Sequence, residues 1–422
     1  MPKVNPEIEA FARIKVVGVG GSGRNAVNHM MRSKVNGVEF IVANTDAQDL
    51  HNSLATKKIH IGKNLTRGLG TGMNPDLGRR AAEETKEEIQ EALKGADMVF
   101  IASGMGGGTG TGASPIIAKT ARELNALTIG VVTKPFFFEG FQRMNLAEKG
   151  LESLEDEVDA LIIIPNDKLL NSSKDTTILS AFAQCDEVLR QAVEGISDLI
   201  TTPGLINVDF ADIKAIMADA GTALMGIGLA TGENRATEAA RMAINSPLLD
   251  VSINGARGVL FAIAGNEDMT MNEIQEAAKI ITESVDANAK VIFGAIIDAK
   301  LRKGEIKITV IATGFPEAGR PKKMGGERKV SIETAGDEEG DDVDDGGALF
   351  SKADEKLVDV VRKSDKNEKN SKNDIDRAIF NTLPDDRRQP EGRQSAVAGL
   401  EDDDEDDDLG VIPSFLRRSK LR

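Results

Sequence analysis

The sequence predicts an α/β fold: a doubly wound parallel sheet joined by a long core helix to a smaller α+β domain, then a disordered C-terminal tail. Three observations carry this. Short apolar runs alternate with helical patterns through the first half of the chain. One long amphipathic segment separates that alternation from a second, strand-rich block. Beyond residue 317 the composition collapses into Lys, Asp, Glu, Gly, Asn and Gln, with too little apolar surface to offset the entropy of ordering.

Taken in order, residues 1–12 are expected to be a flexible start. Ile14 to Val19 is an apolar run entering glycines and then a helical pattern with Ala26, Val27, Met30 and Met31, which reads as strand, tight loop and helix. Strands are expected at Glu39 to Ala43, Asp97 to Ser103, Thr128 to Thr133 and Ala160 to Ile164, with helices at Pro75 to Leu93 and Ser114 to Leu124. These make up a first domain, 13–178. From 179 to 203, Phe182, Leu189, Ala192, Val193, Ile196, Leu199 and Ile200 recur at helical spacing until Pro203 and Gly204 stop the pattern. A second domain, 204–317, is expected to hold strands at Gly258 to Ala264, Lys290 to Ile297 and Glu305 to Thr313 around a helix from Met271 to Val285. Residues 318–408 read as a disordered acidic linker, a tether reaching on the order of 50 Å. Its acidic run, Glu401 to Asp408, gives way to the apolar and basic stretch 409–422.

The chain of 422 residues carries a formal charge of -16, which argues against a nucleic-acid backbone as partner. Its single cysteine, Cys185, excludes an intrachain disulfide framework and suits a reducing compartment, so the cytoplasm is expected. No signal-peptide pattern and no apolar run near the ~20 residues needed to span a bilayer is found, so any membrane contact must be borrowed.

Two glycine clusters carry the chemistry. Gly18, Gly20 and Gly23 lie between a strand and a helix, where amides and the helix dipole can receive phosphate. With Asp46 downstream, this loop alone is also compatible with a dinucleotide-binding oxidoreductase. The second cluster runs Gly104, Met105, Gly106, Gly107, Gly108, Thr109, Gly110, Thr111, Gly112 and precedes a helix expected near Ser114 and Pro115. Its backbone can wrap a phosphate closely, and Thr109 and Thr111 can add hydroxyl donors. No Lys follows the glycines as in a Walker loop, so charge compensation must come from amides, a helix dipole and a divalent cation, for which Mg2+ is expected.

At this point the residues resemble the tubulin/FtsZ family. Gly106 to Ala113 is similar to its glycine-threonine signature, and Asn44, Thr45, Asp46, Ala47 and Gln48 to a second one. The likeness spans about Ile14 to Phe315 and resumes at the carboxyl end. It implies a GTPase, converting GTP to GDP and phosphate, that polymerises head to tail into the cell-division ring at mid-cell. Residues 13–178 then become the nucleotide-binding domain and 204–317 the activation and polymerisation domain.

By the same resemblance, Gly20, Gly21, Ser22, Gly23, Arg24 and Asn25 meet the phosphates, and Gly104, Met105, Gly106, Gly107, Gly108, Thr109 and Gly110 hold them. Gly68 to Asn74 senses the terminal phosphate. Glu139 and Arg143 contact ribose and nucleotide. Asn166 and Asp186 read the base while Phe182 packs on it. Mg2+ is bound mainly through the phosphates. Ser22 and Arg24 depart from the commonest family pattern, as do Thr71, Met73 and Phe137.

Asn207, Asp209 and Asp212 read locally as a helix cap ahead of Ile213, Ile216 and Met217. The resemblance adds a role in catalysis on the neighbouring subunit's nucleotide. Ile412, Pro413, Phe415, Leu416 and Arg417, with Ser414 among them, resemble the family's terminal peptide, which implies FtsA-like membrane-tethering and regulatory division proteins as partners. Three classes stand at this point: a polymerising GTPase, a dinucleotide-dependent oxidoreductase and a nucleotide-gated scaffold without turnover. The second glycine loop and a base-reading acid disfavour the oxidoreductase.

Overall fold

In the first half, β-branched runs become strands and glycine-rich turns lead into helices. The structure, a computed structural model, describes residues 12–170, 177–202, 204–246, 253, 255–298 and 300–315. The acidic linker and the terminal peptide, Ile412 to Arg417, lie outside the described residues.

In chain order the elements are β1 (Ile14–Val19), α1 (Gly20–Arg32), β2 (Val38–Asn44), α2 (Ala47–His51), β3 (Lys57–His60), α3 (Lys63–Thr66), α4 (Pro75–Glu84), α5 (Lys86–Leu93), β4 (Met98–Gly104) and α6 (Thr109–Glu123). There follow β5 (Leu127–Lys134), a 3-10 turn (Phe137–Glu139), α7 (Phe141–Glu155), β6 (Ala160–Pro165), α8 (Asn166–Leu170), α9 (Ile178–Thr201) and α10 (Phe210–Met217). The chain then forms β7 (Gly221–Thr231), α11 (Arg235–Ile244), β8 (Gly258–Gly265), α12 (Met271–Glu283), β9 (Lys290–Ile297) and β10 (Glu305–Thr313).

Among the described residues, ten strands share one sheet in the order β3-β2-β1-β4-β5-β6-β7-β10-β8-β9. The run from β3 to β7 is parallel throughout. β10 is antiparallel to β7 and β8, and β9 is parallel to β8. Among the described residues, the two halves are joined in the sheet by the short register Ala160↔Gly221 to Ile162↔Ala223.

Alternate side chains of the parallel strands feed two cores, as expected of a sheet covered on both faces. Val17, Ile41, Val99 and Ile101 pack under α4, α5, α6 and α7. Val16, Val42, Met98 and Phe100 pack under α1, α9 and α10. The second core continues into Met225, Leu260, Ile296 and Ile311, so α9 lies against both halves through Leu189, Ala192, Val193, Ile196 and Leu199. No helix among the described residues is long and apolar enough to cross a membrane.

Two expectations are corrected. The helix expected from Pro75 to Leu93 is two helices, broken at Thr85, whose hydroxyl donates to the Ala81 carbonyl and accepts from the Gly62 N–H. The helix expected from Ser114 starts at Thr109, inside the glycine cluster. Strand β7, helix α7 and the short β3 carried no expectation and are present.

Candidate functional site

β1 runs straight into α1, and β4 reaches α6 through the short loop 105–108, so the amino termini of α1 and α6 converge at one edge of the sheet. That convergence needs residues without side chains. A Cβ on Gly23 would stand 2.4 Å from the Ala102 carbonyl oxygen, and one on Gly112 would stand 1.9 Å from the Pro75 carbonyl oxygen. Gly23 lets α1 close on β4, and Gly112 lets α6 meet α4.

Between the two termini lies a cleft of ≈ 430 Å³. Gly20, Gly21, Ser22 and Asn25 form one wall, and Gly104, Met105, Gly107, Gly108, Thr109 and Gly110 form another. Gly70, Thr71, Gly72 and Met73 overhang it. Four φ angles in that overhang lie in the left-handed region: Arg67 at 53°, Gly68 at 78°, Gly72 at 60° and Met73 at 64°. Two of these are side-chain-bearing residues, so the loop is strained. Thr109 ties the walls together, its hydroxyl 2.8 Å from that of Thr45 and 3.2 Å from that of Thr71.

The far end of the cleft is lined by Glu139, Arg143, Asn166, Phe182 and Asp186. Glu139 accepts from the Phe136 N–H at 2.9 Å and pairs with Arg143 at 3.1 Å. Phe182 stands edge-on to Phe136, ring centroids 5.3 Å apart. The Oδ1 atoms of Asn25 and Asn166 are buried without a hydrogen-bond partner among the described residues. An unpaired buried acceptor costs about 1–3 kcal/mol, so these oxygens are open to a donor brought by water or a ligand. Burial pushes the Asp186 carboxyl up to about 7, against the pull of His29 and Arg24. The adjacent Cys185 thiol is also pushed up, by burial first and by Asp186 and Glu139 second, and it serves as a neutral wall.

Of the residues expected at the ligand, Gly23, Arg24, Gly106 and Thr111 do not line the cleft, and neither do Gly68, Leu69 and Asn74 of the expected phosphate-sensing loop. Arg24 is buried and paired with Asp49, which also accepts from Asn44 Nδ2 at 2.7 Å, so it locks α1 to α2. Gly23 is spent on the approach of α1 to β4. Gly106 sits at φ 88°, its N–H donating to Thr111 Oγ1 at 2.8 Å, so the Thr111 hydroxyl is used within the loop. Conversely, Thr133, Pro135 and Cys185 line the cleft and were not singled out as site residues; Thr133 lies near the end of β5 and Pro135 just after it, and neither carries a motif. Asp46 lines the cleft while capping α2 through the N–H groups of Gln48 and Asp49, at 3.0 and 3.1 Å.

The acidic loop sits elsewhere. α9 begins beside the cleft and, at about 1.5 Å per residue, carries Thr201 roughly 22 Å from Asp186. A Cβ on Gly37, in the turn entering β2, would touch Thr201 at 2.7 Å. The end of α9 therefore abuts the amino edge of the parallel strands, while the glycine loops leave their carboxyl edge. Asn207, Asp209 and Asp212 are all exposed. Asn207 Oδ1 accepts from the Gly204 N–H at 2.7 Å, and Asp209 caps α10 through the Ala211 N–H at 3.3 Å. The Asp212 carboxylate takes no hydrogen bond from any described residue.

A family model for the Tubulin/FtsZ GTPase domain matches residues 13–174, and one for the FtsZ C-terminal domain matches residues 221–316. Together with the cleft they define a GTPase of the tubulin type. Among solved structures, an empty FtsZ dimer from M. jannaschii superposes with a TM-score of 0.70 at 48% identity, covering 72% of this chain and 88% of that one. A tryptophan-to-tyrosine point mutant of that FtsZ gives 0.70 at 46% identity, covering 73% and 92%. CetZ2 from Haloferax volcanii, a GTPγS-bound protofilament, shares the fold at 21% identity, with a TM-score of 0.63 and coverage of 73% and 95%. The chain belongs to the tubulin/FtsZ family, with an FtsZ-type C-terminal domain. It is a GTP- and GDP-binding GTPase.

Proposed function

We infer that this protein hydrolyses GTP at contacts between copies stacked head to tail, the cleft of one copy being completed by the acidic loop of the next. One observation carries the reading: the cleft and the acids lie at opposite edges of the sheet, so a single chain cannot bring Asp209 or Asp212 to its own bound nucleotide. A contact between unlike faces propagates into an open filament. The dimer and protofilament states of the M. jannaschii and H. volcanii structures are consistent with it.

In the cleft, amides at the starts of α1 and α6 and the Thr109 hydroxyl receive the phosphates. Gly20, Gly21, Ser22, Asn25 and the Gly104–Gly110 loop provide that cradle, and Glu139 and Arg143 sit at the ribose. Guanine offers donors at N1 and its exocyclic amine, which the Asp186 carboxylate and Asn166 Oδ1 accept while Phe182 packs on the ring. Among the described residues no group of three carboxylate, imidazole or thiol side chains forms a cation cage. The donors present, the Asp46 carboxylate and the threonine hydroxyls, fit a Mg2+ ion that arrives on the phosphates, where it would supply charge neutralisation. From the neighbouring copy, Asp209 and Asp212 hold and polarise a water in line with the γ-phosphate, and Asn207 fixes the shape of their loop.

Such filaments would form the division ring at mid-cell in the cytoplasm, held to the membrane by FtsA-like partners through Ile412, Pro413, Phe415, Leu416 and Arg417, with no nucleic acid involved. Residues 13–178 act as the nucleotide-binding domain, 179–203 as the connecting helix, 204–317 as the polymerisation domain, 318–408 as the tether and 409–422 as the docking peptide. Phosphate release per molecule, measured against protein concentration with light scattering alongside, tests the shared site. The rate rises with concentration past a threshold; a rate independent of concentration overturns the reading.

A further inference from the structure

The free edge of the sheet carries a charge imbalance that the cleft does not use. The chain has 68 acidic residues, yet from Leu50 to Pro75 it has none, while His51, Lys57, Lys58, His60, Lys63 and Arg67 all fall within that stretch. The stretch builds β3, the last strand of the sheet, and α3 after it. Lysines on an edge strand keep it from pairing with another copy. Carboxylates would serve that purpose equally well, so it does not account for their absence. The cations are also gathered. Lys58 Nζ donates to the His51 carbonyl at 3.0 Å, and the Ala47 N–H donates to the Gly68 carbonyl at 3.1 Å, which brings Arg67 beside the start of α2. Lys57 and Lys58 stand at one end of β3 and His60 and Arg67 at the other, about 10 Å apart. Lys58 and Arg67 are exposed and Lys57 is half-buried. Lys63 pairs with Glu88 at 3.6 Å, but Lys57, Lys58 and Arg67 pair with no carboxylate among the described residues. The nearest acids in sequence are engaged elsewhere, Asp46 at the cleft and Asp49 against Arg24.

The complementary charge lies in the same chain. Glu401 to Asp408 are eight consecutive acids. An extended run presents a carboxylate to one side about every 6.6 Å, so two or three of them match the spacing of the cations along β3. The chain between Phe315 and Glu401, about 85 residues, reaches on the order of 50 Å as a coil. Seven strand spacings of about 4.8 Å put β3 about 34 Å from β10, where the second half of the sheet ends in sequence. The run is thus tethered within reach at roughly millimolar effective concentration, and an association no tighter than about 1 mM is already half occupied.

We propose that the acidic run 401–408 docks on the basic edge formed by Lys57, Lys58 and Arg67 of its own chain, and so holds the adjoining residues 409–422 beside the nucleotide domain. Salt, or a more strongly charged competitor, releases it. The consequence, that 409–422 is withheld from partners until release, rests on the docking-peptide reading above; the contact itself does not.

The test uses the full chain at high dilution, with a fluorophore pair at Asn52→Cys, beside the edge, and Ala398→Cys, just ahead of the run. Cys185 is buried with its thiol pushed up, and stays unlabelled. Energy transfer is read between about 0.1 M and about 1 M salt, where the screening length falls from about 10 Å to about 3 Å. Screening alone contracts a self-repelling acidic linker and raises transfer. Docking predicts the opposite sign, a fall of about twofold or more as the run is released to coil dimensions. Replacing the eight acids of the run by Asn and Gln, or making Lys57→Gln/Lys58→Gln/Arg67→Gln, gives that low transfer already at low salt. Lys57→Arg/Lys58→Arg/Arg67→Lys keeps the wild-type value, and thermal unfolding checks that each variant folds. Transfer unmoved by either neutralisation, or rising with salt in the wild type, overturns the contact. Transfer that drops when the labelled chain is mixed with excess unlabelled chain overturns the same-chain occupant in favour of a second copy. Binding to phosphatidylcholine/phosphatidylglycerol vesicles that needs the three cations, beside transfer that does not, overturns it in favour of a lipid surface.

Discussion

At its amino-terminal end α9 meets a cleft whose polar groups are buried ahead of any ligand, whereas at its carboxyl-terminal end it runs into a loop whose acids stand in water. Asn166 Oδ1 and Asp186 are held in a desolvated pocket at the cost of an unpaired acceptor and an elevated carboxyl pKa. The Asp212 carboxylate is exposed and takes no hydrogen bond from any described residue, and the Asp209 carboxylate is engaged as a helix cap. On the proposed reading, recognition is complete within one chain, the groups suited to activating water face outward, and turnover is tied to contact between copies.

The largest effect should come from the exposed end. Asp212→Ala is expected to lower GTP turnover by about 10²- to 10³-fold, in the range found when one group that stabilises a transition state is removed. Nucleotide binding should remain intact, as checked by phosphate release beside binding of GTPγS. Equal turnover would remove the division of labour. At the buried end, Asp186→Ala should weaken GTP binding by about 10- to 100-fold, the worth of hydrogen bonds to a charged group, and reduce discrimination against ATP, as measured by competition.

Acidity should separate the two ends as well. Burial raises the Asp186 carboxyl to about 7, and on the proposed reading guanine donors stabilise its ionised form, so binding would depress that pKa. Affinity is then full above about pH 7 and falls as pH drops below it, by up to about tenfold per unit. For the empty fold the sign is opposite, because the buried carboxylate opposes folding when ionised and that penalty fades as pH falls through 7. Isothermal titration across pH 5.5 to 8 reads the first effect, expected in wild type and absent from Asp186→Ala.

The smallest effect compares two helix caps. Thr270 caps α12 in a reciprocal box with Glu273, whose N–H donates to Thr270 Oγ1 and whose carboxylate accepts from the Thr270 N–H at 2.8 Å. Thr270→Ala and Asp209→Ala should each cost about 1 kcal/mol of stability in chemical denaturation. Only the second should also depress turnover.

Much of this was legible in the residues. β1 falls on its expected bounds, Ile14–Val19, because a β-branched run ending in glycine has one reading. α9 matches its apolar spacing closely, and both glycine clusters lead to the cleft. β7 escaped because Gly226 and Gly228 dilute its apolar pattern; α11 packs against them so tightly that a Cβ on either would lie 1.9 Å from a carbonyl oxygen of that helix. The early start of α6 has the same cause, since Gly110 and Gly112 look like loop residues and serve close packing. Arg24 looked like a phosphate ligand by position. Its buried partner Asp49 lies twenty-five positions away in sequence, and only the packed fold brings them together. Which edge of the sheet the acids occupy was legible only through the family resemblance, because in physical terms it depends on the length and direction of α9.

The central claim is that one copy supplies the cleft and its neighbour the acids, and mixing two defective proteins tests it most directly. Asp212→Ala keeps a working cleft, and Asp186→Ala keeps a working acidic loop. At GTP concentrations that fill only the first, each alone should be nearly inactive. Their mixture should release phosphate at a rate well above the sum of the two separate rates. A mixture that gives only that sum would contradict the account.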